Sequence, residues 1–162
     1  MDIWTEQLEQ RHLPLLKNWI GRTAGRFTEN DLPLDAEQLS LWFDTCKSEP
    51  GRTDFLISVY ETPVGISGLR NRRVNPDSAE LYLFLGESNY NPIRAATYAT
   101  LRMLDRAFQE QGLARVYAVV YARREDYLAV LDRMGFSETP EKNGLLRAKI
   151  DKDIFLSRKY LF

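Results

Sequence analysis

The sequence predicts an α/β or α+β fold in a single domain spanning residues 1–162, and three observations carry that reading. Short runs that alternate apolar and polar side chains, "DFLISVY", "VGISGLR" and "AELYLFLG", follow one another with turn residues between them, the pattern of a row of strands. "ARVYAVVY" is apolar almost throughout, as at the centre of a sheet covered on both faces. "IRAATYATLRMLDRAF" and "REDYLAVLDRM" instead space their apolar residues by three and four, the period of a helix face. A chain of this length buries roughly 70% of the surface its unfolded form exposes, enough for one core.

Taken in order, "IWTEQL" reads as a first strand and "LPLLKNWI" as a helix whose first turn tolerates Pro14. Residues 21–34 hold Gly21, Gly25, Pro33 and many polar side chains, so they form a long loop, a kind of segment that often carries function. Asp35 caps the next helix, "DAEQLSLWFDTC", with Gln38 three residues on. "DFLISVY" and "VGISGLR" flank "ETP" as a hairpin, and "AELYLFLG" makes the third strand of the row. Its alternation puts Glu80, Tyr82 and Phe84 on one face and Leu81, Leu83 and Leu85 on the other. Residues 93–111 form a helix ended by Gly112, because Ala96, Thr97, Thr100, Leu101, Leu104, Ala107 and Phe108 share one side. Gly135 stops the second amphipathic helix, and "GLLRAKID" with "DIFLSRKYLF" is expected to close the chain as a hairpin.

Composition excludes several function classes. The 22 basic and 23 acidic side chains nearly cancel, so no global field points to nucleic acid or a membrane surface as partner. The runs "RNRR" (residues 70–73) and "ARRE" (residues 122–125) read as solvated edges. Cys46 stands alone, which excludes an internal disulfide and a cysteine metal cluster; within "QLSLWFDTC" it reads as a buried structural thiol and suits a reducing compartment. His12 is also alone, so a surface or capping role fits it and histidine triads and metal sites do not. No segment approaches the roughly 18 apolar residues of a membrane span. The expectation is a cytoplasmic monomer or homodimer without metal, nucleic-acid or membrane partners.

"NYNPIRAATYATLRMLDRAF" opens a long helix with a tight polar turn that contains Pro92 and Arg94. A helix N-terminus offers unpaired N–H groups and the positive end of the dipole, so a phosphate is the first ligand to consider. From here the residues resemble the GNAT superfamily of N-acetyltransferases over nearly the whole chain. "ATYATLRMLDRAFQEQGLARV" (residues 96–116) is similar to that family's helix and following strand, and "REDYLAVLDRMGF" (residues 124–136) to its helix ending in a hydrophobic residue, Gly and Phe. "AELYLFLG" fits the strand before the phosphate loop. "KNGLLRAKIDKDIFLSRKYLF" looks like the branch that acetylates ribosomal-protein N-termini and amino sugars.

The resemblance implies a mixed, mostly antiparallel sheet flanked by helices and splayed in the middle, where "AELYLFLG" and "ARVYAVVY" part to admit a pantetheine arm. It implies acetyl-CoA as co-substrate and direct attack by a primary amine, on a small molecule or a peptide, in a ternary complex. The arm would meet backbone near Phe84 and Leu85, and the pyrophosphate a loop of Asn91, Pro92, Ile93, Arg94, Ala95 and Ala96. Arg94 stands where the family has glycine and Pro92 lacks an N–H, so the guanidinium of Arg94 would replace backbone contacts. The resemblance makes Arg124 a further expected cofactor contact, and Tyr127 either another or a packed aromatic of the core; Leu131 stands where the family often has a tyrosine that protonates the leaving thiolate.

For the amine's proton, Glu80 is the carboxylate beside the thioester; the alternative is a solvent-facing glutamate at a strand start. The acceptor is expected between the loop of residues 22–31 and the helix carrying Trp42, against Arg26, Phe27, Glu29, Trp42 and Tyr82. A rival reading, motivated by Pro92, Arg94 and Leu131, is a GNAT fold kept as a binding or regulatory module without turnover.

Overall fold

The computed structural model describes residues 2–162. Seven strands form one sheet in the order β1-β2-β3-β4-β5-β7-β6. They are β1 Ile3–Gln7, β2 Thr53–Val59, β3 Thr62–Arg73, β4 Ser78–Leu85, β5 Arg115–Tyr121, β6 Ser137–Pro140 and β7 Leu145–Asp151. Every neighbouring pair is antiparallel except β4 and β5. A parallel pair needs a long crossover, supplied by α3 (Pro92–Asp105) and the π turn Arg106–Glu110 that continues it.

The alternation of β4 divides the core as expected. Leu81, Leu83 and Leu85 pack with Ala96, Ala99 and Met103 of α3, Leu131 of α4 (Glu125–Met134) and Phe155 of α5 (Lys152–Arg158). Tyr82 and Phe84 pack on the other face with Leu16 and Trp19 of α1 (Leu13–Trp19) and Trp42 and Phe43 of α2 (Leu39–Ser48). Cys46 is buried in that second cluster, where burial first of all pushes its thiol up to about 12. His12 does cap, accepting from the Glu9 N–H at 3.0 Å, but it is buried rather than on the surface. Among the described residues no helix is long and apolar enough to cross a membrane, and no group of three His, Cys, Asp or Glu side chains is placed to hold a metal.

The C-terminus departs from the expected hairpin. β7 pairs with β6, and "DIFLSRKYLF" is helical, as α5 and the 3₁₀ turn Lys159–Leu161. The hairpin signal was Asn143-Gly144, both at positive φ (60° and 71°), as the two centre residues of a type I′ turn require. No such pair follows Asp151. Of Ile154, Phe155 and Leu156 only Phe155 is buried, 5.4 Å from the Phe108 ring, which is one contact per helical turn rather than an alternating strand face.

Candidate active site

Pairing between β4 and β5 covers only Ser78 opposite Arg115, Ala79 opposite Val116 and Glu80 opposite Tyr117. Beyond that point the strands part, as the resemblance implies. The loop after α1 fills the gap. Arg26 forms an isolated antiparallel bridge with Phe84, and Thr28 another with Val120. On the β4 side the Phe27 N–H donates to the Leu83 carbonyl (3.4 Å) and Thr28 Oγ1 accepts from the Leu83 N–H (2.9 Å). On the β5 side the Glu29 N–H donates to the Val119 carbonyl (2.7 Å) and the Tyr121 N–H to the Phe27 carbonyl (3.5 Å).

These residues, 25–29, act as a strap that satisfies the backbone groups left open by the splay. Gly25 permits the approach, because a Cβ there would lie 1.9 Å from the Leu85 oxygen. Phe27 is 1% exposed, edge-on to Tyr127 at 5.3 Å and 3.7 Å beneath the Arg124 guanidinium. Arg26 and Phe27 are therefore buried parts of the sheet, not an exposed acceptor surface; Glu29 alone of the three remains exposed.

A cavity of about 600 Å³ stays open beside the strap, lined by Arg22, Gly25, Phe27, residues 85–88, Pro92 and Arg124. Arg22 donates to the Gly86 carbonyl and lies 3.7 Å from Glu87, whose other oxygen accepts from Trp19 Nε1 at 2.7 Å. Arg124 donates to the Ala24 carbonyl at 3.1 Å, and its Nε is buried without a partner. Two guanidinium groups and an unused buried donor suit a phosphate-bearing chain.

The first turn of α3 is less open. Asn91 Oδ1 accepts from the Arg94 N–H (3.1 Å), the Asn91 carbonyl accepts from the Ala95 N–H (3.0 Å), and Pro92 has no N–H. Ile93 is half-buried, and Ala95 and Ala96 sit in the core. Arg94 is exposed, its guanidinium 5.9 Å from the Tyr98 ring. The guanidinium groups bordering the cavity are those of Arg22 and Arg124, not that of Arg94.

Glu80 occupies the last paired position before the gap. Its carboxylate accepts from Arg70 at 2.7 and 2.8 Å and from Asn71 at 3.3 Å. Arg70 is 7% exposed and also reaches Asp31 (3.3 Å) and the Glu29 carbonyl (3.3 Å). It is the exception to the solvated "RNRR" edge, and its register opposite Glu80, on the face of Tyr82, explains why. Arg52 continues the network to Asp31 (2.5 Å) and Asp54 (3.0 Å), and the Tyr82 hydroxyl donates to Asp54 at 2.5 Å. Trp42 Nε1 donates to Asp31 at 3.0 Å.

Tyr82 and Trp42 are thus buried framework under the site rather than acceptor contacts. Of its two expected roles Tyr127 takes the packed aromatic and not the cofactor contact: it is fully buried with its hydroxyl bonded to Thr100 Oγ1 at 2.7 Å.

Asp31 gives the network a pH signature. Burial raises its carboxyl, but hydrogen bonds from Arg52 and Trp42 and the charges of Arg52 and Arg70 outweigh that and hold it at about 2. A depressed folded-state pKa contributes stability above the unfolded value of 3.8 that is lost as pH falls toward 2. The side chain is 41% exposed, so solvent screens part of the effect. Asp31→Asn is expected to flatten the stability curve between about pH 4 and pH 2, measured by urea denaturation across that window.

Residues 4–137 match the family described as the acetyltransferase (GNAT) domain. The chain belongs to that family. It is an N-acetyltransferase that uses acetyl-CoA as its acetyl donor. No curated protein matches the sequence. Among solved structures, a spermidine/spermine N-acetyltransferase from Vibrio cholerae superposes with a TM-score of 0.78 at 17% identity, over 97% of this chain and 98% of that one. The same V. cholerae enzyme in complex with CoA and spermine gives 0.76 at 17% identity, over 95% and 98%. A nucleotide-linked sugar GNAT gives 0.78 at 15% identity, over 98% and 92%. At these identities the likenesses establish the fold, and they do not single out the ribosomal-protein branch.

Proposed function

We propose that the amine acceptor meets the acetyl donor at the Glu80 end of the splay, and that CoA enters at the cavity at residues 85–88, its arm displacing the strap from β4 to reach that end. The observation that carries this is the stop in β4–β5 pairing at Glu80 and Tyr117, the last paired residues, which also border a second cavity of about 450 Å³ that lies over the paired strand ends with Ser78, Arg147 and the β3–β4 turn at residues 74–76. Acetyl-CoA supplies an acetyl group activated as a thioester, whose thiol leaves as the amide forms.

The chain's own residues do the rest. Arg22 and Arg124 hold phosphate, and the backbone at Leu85 and Gly86 lines the arm. The Glu80 carboxylate takes the proton of the attacking amine, directly or through one water, while Arg70 and Asn71 fix its orientation. Neither α4 position that the resemblance singles out offers a proton to the leaving thiol: Leu131 has none to give, and the Tyr127 hydroxyl is buried against Thr100. Of the acceptors that the resemblance implies, a small amine such as an amino sugar suits a bounded cavity better than a protein N-terminus, which needs an open groove.

Calorimetry with acetyl-CoA followed by thiol release with a panel of amines tests the reading. Binding with amine-dependent release is expected. Binding with no release by any amine of the panel would overturn this placing of the acceptor.

A further inference from the structure

The second cavity has a sign. Arg73, Glu80 and Arg147 are its charged lining, beside Asn71, Asn75, Ser78 and Tyr117. Glu80 is paired with Arg70 (2.7 Å), and Arg147 with Glu141 (2.8 Å). Arg73 has no carboxylate within ion-pair distance among the described residues, so the cavity keeps one uncompensated positive charge, with asparagine amides beside it. The strand register fixes where that charge stands. Arg73 lies opposite Ser78, two residues along β4 from Glu80, and so on the same face of the sheet.

A polyamine chain, cationic at every nitrogen, meets repulsion at Arg73 with only one carboxylate, already paired, to receive it. An amine with an anion at its other end can set its nitrogen at Glu80 and its anion at Arg73.

We propose that this cavity selects a small-molecule acceptor carrying an anionic group, phosphate or carboxylate, at its far end, with Arg73 as the specificity residue. The inference rests on Glu80 marking the acceptor end of the splay. It separates this chain by substrate class from the polyamine acetyltransferases that share its fold.

The test compares glucosamine 6-phosphate, 6-aminohexanoate, glucosamine and spermidine, both as ligands in calorimetry without acetyl-CoA and as acceptors in thiol release. Glucosamine 6-phosphate or 6-aminohexanoate should bind at least about tenfold more tightly than glucosamine, the size of one charge-assisted hydrogen bond, and the better of the two names the anion. Added salt should shrink that margin. Arg73→Gln should reduce the margin to under about twofold, and Arg73→Lys should keep most of it. Arg73-dependent binding without turnover would uphold the anion site while removing Glu80 as the place of the acceptor's nitrogen. Spermidine binding as well as either anionic amine, or an unchanged margin in Arg73→Gln, overturns the proposal.

Discussion

Glu80→Gln is expected to lower kcat by roughly 10²-fold or more, the usual worth of a positioned general base. The amide is nearly isosteric and can still accept from Arg70, so geometry at the last paired position is kept while the proton acceptor is lost. The variant should also lose stability, because Arg70 is buried and Glu80 is its shortest ionic contact. Removing one partner of a largely desolvated pair leaves a charge poorly compensated, and a loss of about 1–3 kcal/mol follows for a charged hydrogen bond. Asp31 at 3.3 Å from Arg70 limits that loss. The two effects are separable by measuring kcat on protein shown to be folded by denaturation under assay conditions. A full-rate Glu80→Gln enzyme, or one whose pH–rate profile matches the parent's, would assign the proton to another group or to bulk water.

What the sequence told and what it withheld follow from the range of the interactions involved. The strand row, the two-faced β4 and the glycine helix stops were readable because each depends on local period or local φ. Gly112 and Gly135 do have positive φ, 66° and 110°. The splay came from family resemblance, since nothing in "AELYLFLG" states where its partner strand departs. The strap was unreadable for the same reason. "GRFTE" looks like a polar loop with one aromatic residue, and only the tertiary gap between Leu83 and Val119 gives its backbone a place to bond. Arg70 was hidden inside a run of four polar residues whose other members are exposed. Reading β3 through to its end by alternation would have put Arg70 on the Tyr82 face. Asn143-Gly144 is a legible turn, and it places the closing hairpin before Leu145 rather than after Asp151.

Gly25→Ala should have the largest structural effect. The new Cβ would stand 1.9 Å from the Leu85 oxygen and 3.0 Å from its carbonyl carbon. Both are backbone atoms of a core strand, which cannot turn aside as a flexible side chain would. The strap must therefore draw back from β4, weakening the bonds of Phe27 and Thr28 to Leu83 and lifting the Phe27 ring from its buried seat. Losing most of a phenylalanine's burial alone costs about 1.5–3 kcal/mol. With the hydrogen bonds added, a total near 3–5 kcal/mol and a Tm drop of roughly 10 °C are expected.

Acetyl-CoA affinity should move the other way. If the arm extends β4 as proposed, it needs the groups of Leu83 that the strap now occupies, and the parent chain's apparent affinity is reduced by the free energy of displacing it. Folded Gly25→Ala protein should then bind acetyl-CoA about tenfold or more tightly and show a larger ligand-induced rise in Tm than the parent. Thr28→Val gives the same comparison with less damage, because it removes only the Oγ1 acceptor of the Leu83 N–H. Weaker binding in both variants would make the strap a wall of the site. Equal binding in all three proteins would mean that the arm lies wholly within the cavity at residues 85–88 and leaves the strap in place.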